Sequence, residues 1–336
     1  MTLTDRVSSF ITLGEALRNM AEDEFKALAQ KASAENGWFT ERSVQMALQG
    51  VQILLQGPQL KSWAASYPEI HSPKTVGLAM AGNIPLVGFH DFLSVLVAGH
   101  RLRYKPSSKD TVLLDFIRKR LIEVEPRFGG LIETTDRLNA VDAVIATGSD
   151  NTSRYFEYYF RNIPHIIRKN RVSCAVIEGD EPTAEIEKLG TDIFSYYGLG
   201  CRNVSTVFVP RDYDLTFFLD AMKGFDHVLD NHKYENNYTY QKSLLMLNQE
   251  KFLDNGFLLL RANNRLISPV GVLHYVVYPD LAALKSEVSS YRDQLQVVVS
   301  ANGWFEGSVP FGKAQFPGLN DYADGVDTMR FLTGLR

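Results

Sequence analysis

Cysteine is nearly missing from this sequence: 336 residues contain two, Cys174 and Cys201. Standing 27 positions apart, they form neither a Cys-x-x-Cys metal pair nor a disulfide framework, so a reducing compartment is expected. Long hydrophobic runs are absent too. No stretch reaches the ~18 apolar residues a membrane helix needs, and the opening MTLTDRVSSF has no basic region followed by an apolar one. The expectations are therefore no membrane span and a cytoplasmic location. Charge of one sign is not in excess. A net charge of -4 and a pI near 6.0 argue against a nucleic-acid-binding surface. The local basic cluster RLRYKPSSK (residues 101–109) suits one phosphorylated small molecule rather than a polymer. His227 and His232 are five apart, off any single helix face and without carboxylates at metal spacing, so no metal is expected. Internal repeats and low-complexity linkers are also lacking.

What is present is a regular alternation. At 45% hydrophobic the chain is large enough for two domains. The first 70 residues read as helical. Val44, Leu48, Val51 and Leu55 recur at helical spacing, with Thr40 as an N-cap and Gly57-Pro58 as a stop. After Pro73, short β-branched runs alternate with amphipathic helices: TVGLAM, the helix GFHDFLSVLVAG, RLRYKP, a helix from Asp110 to Glu123, DAVIATG, a helix from about Thr152, then SCAVIEG. A helix through Ile193 leads to a Gly-x-Gly before Cys201. Beyond it come VSTVFVP, a helix near Leu215 to Leu229, GFLLLR, VGVLHYVVYP and LQVVVS. This order predicts βαβ units and mostly parallel sheets, in two α/β halves meeting near residues 165–175.

Four stretches carry candidate chemistry. In AGNIPLVGFHDFLSVLVAGHRLRYKPSS, Asn83 follows one strand and Lys105 closes the next, at the carboxyl edge where doubly wound sheets bind ligands. By themselves they read first as a turn residue and a solvated strand end. In VIATGSDNTSRYF a strand runs through Gly148-Ser149 into a helix, a junction whose N–H groups suit an anion such as a pyrophosphate, without the full G-x-G-x-x-G fingerprint. In SYYGLGCRNVSTVFVP, Cys201 stands in a polar, glycine-lined run, whereas Cys174 sits in the apolar SCAVIEG as core filler. The fourth is the glycine-containing tail VPFGKAQFPG, residues 309–318.

Taken in order, these stretches resemble the aldehyde dehydrogenase superfamily. AGNIP resembles its Pro-Trp-Asn-Phe-Pro turn, AGHRLRYKPSS its Ala-Gly-Asn-x-x-x-x-Lys-Pro-x-Glu, and IATGS its Phe-Thr-Gly-Ser strand end. YYGLGCRNVSTVFVP resembles the Asn-x-Gly-Gln-x-Cys segment, SPVGVLHYVVY the Gly-Pro-Val strand, and PFGKAQFPG the Pro-Phe-Gly-Gly-x-Lys-x-Ser-Gly tail. The match is collinear from about residue 73 to 318. NGWFTERSVQMAL and FPGLNDYADGVDTMRFL more particularly resemble the acyl-CoA reductases of the bacterial luciferase-associated fatty-acid reductase type.

The resemblance implies an α/β fold with two three-layer domains. A helical N-terminal segment and a Rossmann-like cofactor domain would occupy residues 1–171, and a catalytic thiol domain 172–308. A C-terminal tail, 309–336, would pack back across the domains. It implies Cys201 as nucleophile, with the Asn83 side-chain amide and the Cys201 N–H holding the oxyanion. The cofactor-binding residues would be Lys105, Ser107, Ser108, Lys109, Gly148 and Ser149. A fatty acyl-CoA would acylate Cys201 and release coenzyme A, and reduced nicotinamide would take the thioester to aldehyde. An acyl-CoA or other acyl donor, a homo-oligomer and an acyl-transferring partner enzyme are the expected partners.

Three departures from the family pattern bear on this. Ser107-Ser108 continue the Lys-Pro motif where many members have a ribose-binding glutamate, and with Lys109 this favours NADPH. Arg265 stands where a carboxylate for the nicotinamide ribose is usual. The Leu-Glu-Leu-Gly-Gly base motif has no counterpart, and Glu178, the nearest carboxylate, matches a later turn. A missing water-activating base suits a reductase. Hydrolytic aldehyde dehydrogenase, acyl-phosphate reductase and non-redox cysteine acyltransferase or acyl carrier are the alternatives.

Overall fold

The computed structural model describes residues 1–148 and 150–336. The chain forms two compact units, one of residues 1–170 with 317–336 and one of residues 171–316. The stretch 309–316 thus belongs with the second unit and 317–336 with the first.

The first unit opens with four helices, α1 (Leu3–Arg18), α2 (Glu22–Glu35), α3 (Glu41–Leu54) and α4 (Gly57–Ala65). Thr2 caps α1 through a reciprocal pair with Asp5, and Thr40 caps α3 by accepting from Ser43 N. Gly57-Pro58 does end the α3 region, but it also opens α4, because proline fits a first helical turn whose N–H groups lack intrahelical partners. The sheet follows as β1 (Thr75–Ala79), α5 (Phe89–Ala98), β2 (Arg101–Lys105), α6 (Val112–Val124), β3 (Ile132–Thr134), β4 (Ala143–Thr147), α7 (Asp150–Phe160) and β5 (His165–Arg168). The strands are parallel in the order β3-β2-β1-β4-β5. Val76 to Ala79 and Ala143 to Ala146 are buried without alternation, as strands covered on both faces must be. Helix α5 is apolar nearly all round and buried along its length, so it is a core helix rather than a surface one.

The last segment of the chain closes this unit. Its helix, Thr328–Thr333, packs on α5, and the Leu332 carbonyl lies 2.9 Å from His100 Nε2. The indole of Trp63 donates to the Tyr322 hydroxyl at 2.8 Å.

The second unit contains β6 (Val172–Val176), α8 (Thr183–Phe194), β7 (Val204–Pro210), α9 (Leu215–Ala221), α10 (His232–Leu247), β8 (Leu253–Asp254), β9 (Leu259–Ala262), β10 (Val272–Tyr278), α11 (Leu281–Ser290), β11 (Leu295–Ser300) and β12 (Val309–Pro310). Its sheet runs β12-β11-β6-β7-β10-β9-β8, parallel except for β8 against β9. Cys174, Val176, Phe208, Val276, Leu284 and Phe305 form part of its core. The helix expected from Leu215 to Leu229 stops at Ala221 and continues as a 3-10 segment, Lys223–Asp230, around Gly224. Among the described residues no helix is long and apolar enough to cross a membrane.

Candidate active site

In the first unit the chain leaves β1 toward β2 on one side and returns as β4 on the other. The carboxyl ends of β1 and β4 therefore flank a topological switch point, the place where open parallel sheets hold ligands. Ala79 is in register with both Lys105 and Ala146, so three loops leave the sheet at one level. The first carries Asn83, exposed on a bend. The second carries Lys105, Ser108 and Lys109, all exposed, with Ser107 half-buried. The third begins at Gly148, also half-buried. Ser149 lies outside the described residues.

The first two loops are tied together. The buried Asn36 amide donates to the Lys109 carbonyl at 3.3 Å and reaches the Gly82 carbonyl at 3.5 Å. A Cβ on Gly82 would fall 2.6 Å from the Ser107 Cβ, so only glycine allows this approach. Asp110 accepts from Leu86 N at 2.7 Å, while its other carboxyl oxygen has no partner among the described residues. Burial pushes Asp110 up to about 7, partly opposed by the Leu86 bond and reinforced by Glu35.

Two helices start at this edge, and their N-termini differ. Glu35 of α2 accepts from Thr111 N at 2.9 Å, from Val112 N at 3.2 Å and from the Thr111 hydroxyl. The start of α6 therefore already holds a carboxylate. The start of α7 follows Gly148, where an added Cβ would lie 2.9 Å from Thr152 Cβ and close the approach.

In the second unit Cys201 lies in the turn before β7, half-buried. The turn is reached through three successive left-handed residues, Tyr196 (φ 50°), Tyr197 (φ 59°) and Gly198 (φ 78°). Such a run persists only where surrounding contacts impose it. Asn203 supplies several, accepting from Gly200 N at 2.8 Å and donating to the carbonyls of Ser195 at 2.8 Å and Asp192 at 3.0 Å. Ser173 of β6 donates its hydroxyl to the Cys201 carbonyl at 3.0 Å.

Asp192, fully buried on α8, draws the 309–316 stretch to the same place. It accepts from Gly312 N at 2.7 Å and Ala314 N at 3.0 Å, and Gln315 donates to the Arg202 carbonyl at 3.1 Å. Desolvation pushes Asp192 up to about 7 despite those two bonds. Cys174 faces the β6 core, and burial pushes its thiol up to about 12.

The structure thus brings Asn83, Lys105, Ser107, Ser108, Lys109 and Gly148 to one sheet edge of the first unit. It brings Cys201 and the 309–316 stretch together in the second. Glu178 is exposed in the turn beyond the carboxyl end of β6, whereas Cys201 precedes the amino end of β7 beside it. Opposite edges of one parallel sheet, separated by a strand length of ~15 Å or more, keep that carboxylate from the thiol. Arg265 is exposed, and its carbonyl, 2.7 Å from His274 Nδ1, fixes the loop after β9 beside Thr206. His232 is exposed at the start of α10, and among the described residues no cluster of His, Cys, Asp or Glu is arranged for a metal.

Asn203, Asp192, Asn36 and Glu35 are not among the site residues expected from the sequence. One signal was available, because Asp192 interrupts the apolar face of α8 and a charge there needs partners. The others hold loops through contacts that periodicity does not encode.

The family model described as acyl-CoA reductase (LuxC) matches residues 15–223. No curated protein sequence matches the chain. Among solved structures, an NAD+ complex of an aldehyde dehydrogenase from Bacillus cereus is similar at 14% identity and TM-score 0.63, covering 89% of this chain and 72% of its own. A Pseudomonas syringae indole-3-acetaldehyde dehydrogenase variant in complex with NAD+ and IAA is similar at 13% identity and TM-score 0.68, covering 92% and 74%. An aldehyde dehydrogenase variant from the same species, with NAD+ and octanal, is similar at 12% identity and TM-score 0.64, covering 89% and 72%. With its two parallel sheets and a family match spanning more than half its length, the chain belongs to the acyl-CoA reductase (LuxC) family, oxidoreductases here built on the aldehyde dehydrogenase fold.

Proposed function

We propose that this protein reduces a fatty acyl-CoA to the aldehyde through a thioester on Cys201, using NADPH. The observation that carries the reading is the half-buried Cys201, held in a turn of imposed geometry, in a chain of this family. The Cys201 thiolate attacks the acyl carbonyl, and the oxyanion is held by the Cys201 N–H, with the Asn83 amide the second donor that the family resemblance implies; one such donor is typically worth ~3 kcal/mol. Collapse expels coenzyme A as its thiolate and leaves the acyl group on the Cys201 sulfur.

The residues at the first unit's sheet edge fit a nicotinamide dinucleotide. Gly148 and the start of α7 would take the pyrophosphate, while Ser107, Ser108 and Lys109 would take an adenosine 2'-phosphate, with Lys105 beside them. Three dehydrogenase structures with NAD+ bound share this fold. When bound, the reduced nicotinamide would supply the hydride that brings the thioester to the aldehyde level. Release of the Cys201 thiolate completes the turnover. No carboxylate in the turn after β6 reaches the thiol, which favours reduction over hydrolysis of the thioester.

The test is NADPH oxidation over acyl-CoAs of graded length and an acyl phosphate, with intact-protein mass spectrometry of the acylated enzyme. Cys201→Ala should fold and form no acyl-enzyme. Acylation of Cys174 alone, or rapid thiol-independent release of free fatty acid from aldehyde and NADP+, would overturn the reading.

A further inference from the structure

We infer that Asn203 is the positioning residue of the Cys201 turn, fixing the direction of both the thiol and the Cys201 peptide N–H. The inference rests on the reading of Cys201 as nucleophile. Asn203 is 2% exposed, and its four polar groups are all engaged. Its backbone N–H donates to the Gly200 carbonyl at 3.0 Å, and its carbonyl accepts from Ser173 N at 3.1 Å. Its side-chain oxygen accepts from Gly200 N at 2.8 Å. Its two amide hydrogens are shared among the carbonyls of Ser195 at 2.8 Å, Asp192 at 3.0 Å and Ile193 at 3.3 Å.

The consequence follows from peptide geometry. In a trans peptide the C=O of one residue and the N–H of the next point in opposite directions. Anchoring the Gly200 carbonyl on Asn203 N therefore sets where the Cys201 N–H points. The Ser173 hydroxyl anchors the following peptide at the Cys201 carbonyl. With both flanking peptides held, the Cα–Cβ bond of Cys201 has one direction. The contacts to Asp192 and Ile193 would serve any helix C-terminus. Those to Ser195 and Gly200 span the left-handed run Tyr196 to Gly198, which extended or helical backbone would not produce. One side chain thus joins the end of α8, the strained run and the residue before the nucleophile.

The experiment uses the full-length chain with Asn203→Ala, Asn203→Asp and Cys201→Ala. Single-turnover acylation by a long-chain acyl-CoA is followed across substrate concentration, and iodoacetamide alkylation is followed at each cysteine by peptide mass spectrometry. In Asn203→Ala the limiting acylation rate should fall about thirtyfold or more while the half-saturating concentration changes less than about threefold. Asn203→Asp keeps the Gly200 acceptor and the residue's size but loses the donors. It should acylate at least about fivefold slower than wild type and faster than Asn203→Ala. A folded Asn203→Ala acylating within about twofold of wild type overturns the inference. If that variant does not fold, Asn203→Asp decides by the same thresholds. If wild type forms no acyl-enzyme, the function reading fails by itself, and alkylation decides for Asn203. A shifted pH profile of Cys201 alkylation in the variants supports positioning, and an unchanged one overturns it.

Discussion

At Cys174 the apolar surroundings of β6 remove the water a thiolate needs, and with the thiol pushed up to about 12 the ionised fraction at neutral pH is on the order of one in 100,000. Cys201 is the same residue type in a half-open turn, so environment alone separates the two thiols. Asp110 follows the same physics, because burial disfavours its anion too. Its folded value of about 7 lies above the ordinary carboxylate range, so the folded chain keeps a proton that the unfolded chain loses above about pH 4. The stability tied to that proton is complete below about pH 4 and is lost progressively as pH rises from there through 7. Asp110→Asn retains an oxygen for Leu86 N without the buried charge. It should raise stability at pH 8 by on the order of 2 kcal/mol, by less at pH 5, and change it little at pH 4, read by urea unfolding at the three pH values. A variant no more stable at pH 8 would mean the carboxylate ionises there at no cost. Ser108 tests a different charge. With a glutamate in its place a 2'-phosphate meets a like charge, and the preference for NADPH over NADH in steady-state kinetics should flatten or reverse. Better use of NADH by wild type would displace Ser108 from the adenosine ribose.

Between elements, one close constraint is at Gly82, whose missing Cβ lets the loop after β1 lie against Ser107 after β2. Gly82→Ala must push the two loops apart, because the obstacle includes the Ser107 Cβ rather than a flexible side-chain end. NADPH affinity measured by fluorescence titration should weaken about tenfold, with the second unit's Cys201 still open to iodoacetamide. Unaltered affinity would separate the Asn83 loop from cofactor binding. Much at this scale was legible in the residues. The 3.6-residue recurrence of Val44, Leu48 and Val51 gave α3, and the β-branched runs gave β1, β4, β6, β7, β10 and β11 close to their observed bounds. Helix α10 was not anticipated, since its sequence HKYENNYTYQKSLLML has almost no apolar periodicity and buries only Tyr234, Tyr238 and Leu245. The cap of α6 was equally hidden. Its partner Glu35 stands 76 positions away from Thr111, and no local pattern encodes that distance.

For the molecule as a whole, the chain's return after residue 316 is what completes the first unit. Arg168 at the end of β5 is ion-paired with Asp91 of α5 and donates to Thr328 at 2.9 Å, with both charged side chains 6% exposed. Removing one partner leaves the other charge buried, so Asp91→Ala should cost about 3 kcal/mol in urea unfolding, whereas Asp91→Leu with Arg168→Met should recover most of it. A loss below about 0.5 kcal/mol would mean the pair is reached by solvent.

The sequence by itself determined the class of the fold, because alternating β-branched runs and amphipathic helices of these lengths can bury their faces only in parallel sheets covered by helices. It also singled out Cys201 over Cys174, since the polarity of neighbouring residues already reports the environment of a thiol. The tertiary structure alone decided which groups share a place. Asp192 meets Gly312 and Ala314 across 120 and 122 positions, Asn36 meets Lys109 across 73, and Glu178 is carried to the far edge of the sheet from Cys201 although only 23 residues separate them. Strand direction and register set those relations, and they arise from packing the whole chain rather than from the composition of any window within it.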